Sequence, residues 1–224
     1  MELDTDRHTL EATQPVQYVN RSDEPVDELM FLLMANWGAE ENPYLHPALD
    51  EASYTRGFDP TWTQIVQVTD PEGSPLSTRA APTPAFLQTY SLENGLLYVS
   101  LPGTLMPGQR GTLHMRFRTK FARGALGDQC VTEGIYVWRF GWNPIAVSGD
   151  LLEGAFRLPS AEYQVALTVP SSLNAFGGAD TQVVVHEDAD TMTVRWRSDR
   201  PVRSVPLVIG PGLRSVSITV DDVR

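Results

Sequence analysis

Apolar and polar residues alternate with a period of two along much of the chain, while the 3.6-residue period of amphipathic helices is almost absent. From Thr112 to Phe121, Leu113, Met115, Phe117, Thr119 and Phe121 fall on one face, and His114, Arg116, Arg118 and Lys120 on the other. Glu162–Val169 sets Tyr163, Val165, Leu167 and Val169 against polar neighbours, and Thr191–Arg197 does the same with Met192, Val194 and Trp196. Ser215–Val220 repeats the pattern. Each segment predicts a half-buried strand. Shorter apolar runs predict further strands at Gln14–Asn20, Glu28–Ala35, Trp62–Thr69, Leu96–Leu101, Ile135–Phe140, Gln182–His186 and Val202–Ile209.

Turn-forming residues separate these segments: Arg21–Pro25, Asp70–Gly73, Pro102-Gly103, Pro107-Gly108, Gly177-Gly178, Asp188–Asp190 and Gly210–Gly212. Closely spaced strands with such punctuation predict an all-β chain, built as a large antiparallel β-sandwich or saddle-like sheet assembly. Arg79–Pro84 reads as a loop, and no internal repeat is present. Asn36–Pro60 has mixed aromatics, three prolines and no clean period. It is too long for a hairpin turn, so it reads as a structured loop excursion with a short helix near Pro47–Ser53.

The chain has 224 residues, within the range that one β-rich domain occupies. With 42% hydrophobic and 20% charged residues it has a globular composition, not a disordered one. No apolar run approaches the length of a membrane helix, and the acidic, polar start MELDTDRHTL does not read as a signal peptide. The reading is a soluble domain of unassigned compartment. A net charge of −11 argues against nucleic acid and anionic lipid as partners, because both are bound by neutralising phosphates. Cys130 is the lone cysteine, so no internal disulfide is possible.

The candidate chemistry is thin. A helical zinc-protease motif needs two histidines at i and i+4, so that both imidazoles share a helix face. His186-Glu187-Asp188 begins in that way, but position 190 is Asp. His114 lies between arginines on the polar face of a strand, and His46 stands alone in the excursion, so neither reads as a metal ligand. There is no G-x-S-x-G elbow and no glycine-rich phosphate loop. Arg116, Arg118 and Lys120, like Arg195 and Arg197, read as solvated strand faces that oppose edge aggregation. Trp138, Phe140 and Trp142 read as core. The residues alone name no catalytic group and no metal ligand.

Several stretches, in order along the chain, carry a resemblance. Val16-Gln-Tyr-Val-Asn20-Arg-Ser22 is followed by Leu29-Met-Phe31-Leu-Leu33-Met-Ala-Asn36, then by Asn42-Pro43 and Arg56-Gly-Phe-Asp59. Next come Pro107-Gly108-Gln109 with Leu113 and Phe117, Phe140-Gly-Trp-Asn-Pro144-Ile, and Tyr163–Pro170. Together they resemble the N-terminal β-domain of M1 zinc aminopeptidases of the bacterial branch, with Asn143 standing where a tyrosine is usual. The resemblance implies that residues 1–224 form a single non-catalytic β-domain. It further implies that the domain walls a substrate cleft and packs against a thermolysin-like catalytic domain lying beyond Arg224. Zinc would belong to that catalytic domain, and this chain would hold no cofactor. Gln129-Cys-Val-Thr-Glu133-Gly134 resembles a "Q-C-x-x-E-G" stretch at the cleft edge. There Gln129 would help to hold the N-terminus of a peptide, and Glu133 would orient it or add charge.

Two other readings compete. One is a free-standing adhesion or carbohydrate-binding module with Trp37, Tyr44 and Trp62 as an aromatic platform; the other is a hydrolase using Cys130. The resemblance also carries a surface expectation. A face made for a catalytic domain should expose contiguous apolar area, with Met30–Trp37 and Trp138–Ile145 as candidate stretches, and such a face would allow a homodimer.

Overall fold

Sixteen strands and one 3₁₀ turn make up the regular structure of the described residues. The computed structural model describes residues 1–40, 57–81, 94–124, 129–147, 158–178, 181–186 and 189–215. In chain order the strands begin with β1 (Glu2–Asp4), β2 (Thr9–Val19), β3 (Val26–Leu32), β4 (Trp62–Thr69), β5 (Thr78–Ala81) and β6 (Leu96–Leu105). They continue with β7 (Arg110–Lys120), β8 (Ala122–Arg123), β9 (Gln129–Thr132), β10 (Ile135–Trp138) and β11 (Ile145–Val147). The last are β12 (Gln164–Pro170), β13 (Asn174–Gly177), β14 (Thr181–His186), β15 (Thr191–Arg197) and β16 (Leu207–Gly210). The 3₁₀ turn is Met34–Gly38.

Three sheets result. The largest has seven strands in the order β14-β15-β12-β1-β2-β7-β4, a second has five (β13-β16-β10-β9-β8) and a third four (β11-β3-β6-β5). Pairing is antiparallel except between β1 and β12 and between β8 and β9. The expected all-β sandwich architecture is therefore observed.

β7 shows why the sheets stack. Its alternate residues Leu113, Met115 and Phe117 are fully buried, while His114 and Arg116 are exposed. The inner face of the seven-stranded sheet meets Leu29, Phe31 and Val99 of the four-stranded sheet and Trp138, Leu207 and Ile209 of the five-stranded sheet in one core. A side chain of that size contributes about 1.5–3 kcal/mol on full burial. Phe121 lies at the centre, edge-on to Trp138 with ring centroids 4.0 Å apart.

The structure corrects the surface expectation for Met30–Trp37. Leu29 and Phe31 point into the main core, while Leu32 joins Ala81, Leu96 and Val147 in a second cluster, packed by Met30 and Tyr98. A strand covered on both faces needs no alternation, which is why the run Leu29–Leu33 lacks it. Trp138, Trp142 and Ile145 are likewise buried. Large hydrophobics exposed among the described residues are Phe58, Val66, Met106, Val183 and Val184.

Other differences are local. Arg79-Ala80-Ala81, read as loop, lies in β5. The expected strand Val202–Ile209 is regular only over β16, with an isolated bridge from Val202 to Ala161. The strand expected beyond Ser215 and the helix near Pro47–Ser53 lie outside the described residues.

Candidate functional site

β9 and β10 form a hairpin in which Thr132 pairs with Ile135. The two residues between them, Glu133 and Gly134, have φ of 52° and 78°. Two positive-φ residues closing a two-residue loop make a type I′ turn, whose twist matches that of the flanking strands. Glycine suits this conformation; glutamate adopts it at a cost of about 1 kcal/mol. Glu133 is exposed at the tip.

Gln129 opens the same hairpin, its backbone opposite Trp138. Along an extended strand, four residues separate Gln129 from Glu133 by about 13 Å, so the two stand at opposite ends of β9. Cys130 between them is buried against Ala122 and Val137. The hairpin faces inward through Tyr136, whose ring meets Phe121 edge-on at 5.1 Å.

A polar cluster that the sequence reading missed supports this hairpin from below. Asp59 accepts hydrogen bonds from Lys120 Nζ (2.5 Å) through one carboxylate oxygen, and from the backbone N–H (2.8 Å) and Nε (3.1 Å) of Arg123 through the other. Lys120 also donates to the Pro60 carbonyl at 2.7 Å. Burial by itself would raise the Asp59 carboxyl, but the Lys120 and Arg123 donors outweigh it and hold the group below the usual carboxylate range. Arg123 belongs to β8, which runs parallel to Cys130–Val131 of β9. Asp59 thus ties the approach to β4, the end of β7 and the start of β8 at one point, and β9 is laid against that point. A small cavity of about 120 Å³ lies beside it, lined by Gly57, Phe58, Asp59 and Arg123.

His8 completes the cluster from the β1–β2 turn. Its Nδ1 stands 2.9 Å from the Tyr136 hydroxyl, which also donates to the Thr5 carbonyl at 3.2 Å. Burial, with the positive charge of Arg123 next, lowers the His8 pKa. Burial, followed by the nearby carboxylates of Asp4 and Asp6, pushes the Tyr136 hydroxyl up to about 12. The local sequence signal was weak because His8, Asp59 and the Lys120–Arg123 stretch come from three separate segments.

Among the described residues no three of His, Cys, Asp or Glu are grouped so as to hold a metal ion. His114 sits outward on β7 opposite Pro15, far in register from the turn that carries His8. These residues do not fit a zinc centre. Of the aromatic platform, Trp37 and Trp62 are partly buried and Tyr44 lies outside the described residues.

No family model and no curated protein matches the chain. Solved structures do. An M1 zinc metallopeptidase from Deinococcus radiodurans, a glutamate-to-alanine mutant bound to a Tyr-Ser-Ala substrate, aligns over 94% of this chain with a TM-score of 0.57 and 14% identity. Another structure of the glutamate-to-alanine mutant from Deinococcus radiodurans aligns over 94% with a TM-score of 0.56 and 15% identity. A two-domain M1 zinc metallopeptidase bound to L-arginine gives 94%, 0.56 and 16%. In each case the chain spans 40% of the length of the solved structure. At these identities the likeness is one of fold, and the fold of this chain is that of a part of M1 zinc metallopeptidases.

Proposed function

We propose that the chain is the non-catalytic N-terminal β-domain of an M1-type zinc metallopeptidase, an aminopeptidase. It packs against the catalytic domain of the same parent chain and walls one side of the substrate cleft. One observation carries the reading: the fold aligns over 94% of this chain but only 40% of metallopeptidase structures. The ordered sequence motifs around Asn20, Asn36, Gly108, Gly141 and Pro170 support it independently. In this role zinc and the groups that activate water belong to the catalytic domain. This chain supplies shape and polar contacts.

Within the proposal, the β9–β10 hairpin is the cleft-facing element. An exopeptidase recognises a free ammonium at a set distance from the bond it cleaves, which takes amide or carboxylate acceptors held on rigid elements. Gln129 offers an amide oxygen at the base of the hairpin, and Glu133 a carboxylate at its tip. Both are assigned to the peptide N-terminus only in the full-length parent.

The test has two arms. The native polypeptide, isolated from its source and sequenced by mass spectrometry, should extend beyond Arg224 into a segment with an H-E-x-x-H motif. In that parent, Gln129→Ala should lower kcat/KM on aminoacyl reporters by about tenfold or more, the worth of one charge-assisted hydrogen bond. Stoichiometric zinc bound by residues 1–224 alone, or cleavage of aminoacyl reporters by them, would overturn the domain assignment. An unchanged kcat/KM would remove Gln129 from the site and leave the domain assignment standing.

A further inference from the structure

Edge strands expose unpaired main-chain groups, and folded proteins guard them with charge, proline, bulges or shortness. Most edges in this molecule carry such a guard. β4 is bulged between Ile65 and Gln67, β5 carries the Arg79–Glu28 ion pair, and β8 and β11 have two and three residues. β14 is different. It pairs with β15 over all six residues without a register shift, and its sequence, TQVVVH, has no proline, lysine, arginine or acid.

Among the described residues, Val183 and Val184 leave β14 open on both of its faces. Gln182 marks the limit of the sandwich, accepting from Trp196 Nε1 (2.9 Å) and donating to the Ala175 carbonyl (3.1 Å). Beyond it Val184 is 47% exposed on the inner face, and Val183 is 53% exposed on the outer one.

The outer face carries a charge pattern. Across the sheet, Val183, Arg195 and Ala166 form one row, and Thr181, Arg197 and Gln164 the next. Val183, Arg195, Ala166, Arg197 and Gln164 line an open groove of about 530 Å³. Arg195 and Arg197 are exposed and take part in no ion pair among the described residues, whereas Arg79, Arg116, Arg118, Lys120 and Arg123 all do. No acidic residue lies on β12, β14 or β15; on the same face Glu2 stands beyond β12, on β1. Among the described residues, what marks this place is the conjunction of two same-face arginines with an unguarded strand edge, in a chain of net charge −11.

We propose that the β14 edge is a docking site for an extended, acidic peptide segment of a partner protein, which adds to the seven-stranded sheet as a further strand. The main chain of the segment pairs with β14. Successive same-face side chains on a strand lie about 6.7 Å apart, the same repeat that separates Arg195 from Arg197 on β15. Carboxylates at alternate positions of the segment therefore meet both guanidiniums. The gap from β15 to the added strand is two interstrand spacings, about 9.5 Å, which an arginine and a glutamate bridge from its two ends across Val183. A second copy of this chain fits less well: pairing β14 with itself about a two-fold axis sets Arg195 and Arg197 of both copies on one face around a neutral strand, with no acid to balance them.

The probe is a short synthetic peptide alternating valine and glutamate, with its valine–lysine counterpart as control. Fluorescence polarisation should show binding of the glutamate peptide alone, weakening with added salt. Amide hydrogen exchange should slow at Val183–Val185 on saturation. Arg195→Glu with Arg197→Glu, both exposed and remote from the core, should lower affinity by about tenfold or more. Val184→Lys, on the face opposite the arginines, puts a guarding charge on the edge outside their row and should lower it too. Equal binding of the two peptides, no binding of either, or unchanged exchange at β14 would overturn the proposal. So would self-association protecting β14 without peptide, which would identify a second copy as the occupant.

Discussion

Gly177 of β13 lies flat against the indole of Trp196 on β15: a β-carbon at residue 177 would meet three ring atoms at 2.9 Å. The contact joins the edge of the five-stranded sheet to the seven-stranded one. Trp196 is buried and bonded through Nε1 to Gln182, so it has no room to retreat. Gly177→Ala should destabilise the chain by about 1–3 kcal/mol, the cost of overpacking a filled core. Urea unfolding should show a lower midpoint at unchanged slope. A midpoint equal to wild type would mean that the two sheets separate at this edge without penalty.

Asp59 gathers Lys120 and Arg123 around one buried carboxylate. Its folded pKa lies below the unfolded value of about 3.9. The unfolded chain therefore binds more protons between the two, and the stabilisation is fully present above about pH 4 and lost as the pH falls through the folded pKa. Asp59→Asn should lower stability at neutral pH by about 1–3 kcal/mol and flatten the acid limb of the stability curve. Thermal midpoints of both proteins between neutral and acid pH test this. Parallel curves would refute it.

His8 works in the same direction with pH, although its favoured deprotonated form is the neutral one. Burial and the neighbouring cations depress its folded pKa, so below the unfolded value of about 6.5 the unfolded chain takes up the proton first. Its contribution is complete above that value and declines as the pH falls toward the folded pKa. His8→Gln should remove the slope in stability just below pH 6.5, about the width of the shift. An identical slope in the variant would assign the pH dependence elsewhere.

Glu133 closes the β9–β10 hairpin at φ 52°. Glu133→Asn, which tolerates this conformation, should raise stability by about 0.5–1 kcal/mol. In the proposed full-length enzyme the same change removes a carboxylate from the cleft edge. A variant that gains stability while losing kcat/KM would show conformational strain retained for binding.

Patterning in the sequence places some strands closely and others only in part: β2 reads from Gln14 but begins at Thr9, and β6 reads to Leu101 but runs to Leu105. β4 and β15 run over Trp62–Thr69 and Thr191–Arg197 as read, and β7 differs from its reading only at its ends. Period-two patterning is legible wherever one face is buried and the other wet, because the two faces then demand different residues. Where both faces are covered the signal disappears, which is why the sequence reads Met30–Trp37 as an exposed apolar face. Strands of two to four residues, such as β5, β8 and β11, are too short to show a period at all.

The candidate site divides in the same way. The turn at Glu133-Gly134 is local, and a glycine in its second position is visible in the residues. The convergence of His8, Asp59, Lys120 and Arg123, and the row of Val183, Arg195 and Ala166, depend on pairings between strands distant in sequence. The sequence by itself determined which residues turn inward along each long strand, since burial selects for apolar character one residue at a time. Which edge lacks a neighbour among the described residues, and which charges find partners there, emerge only once the strands are paired, since both are relations between segments that no local pattern encodes.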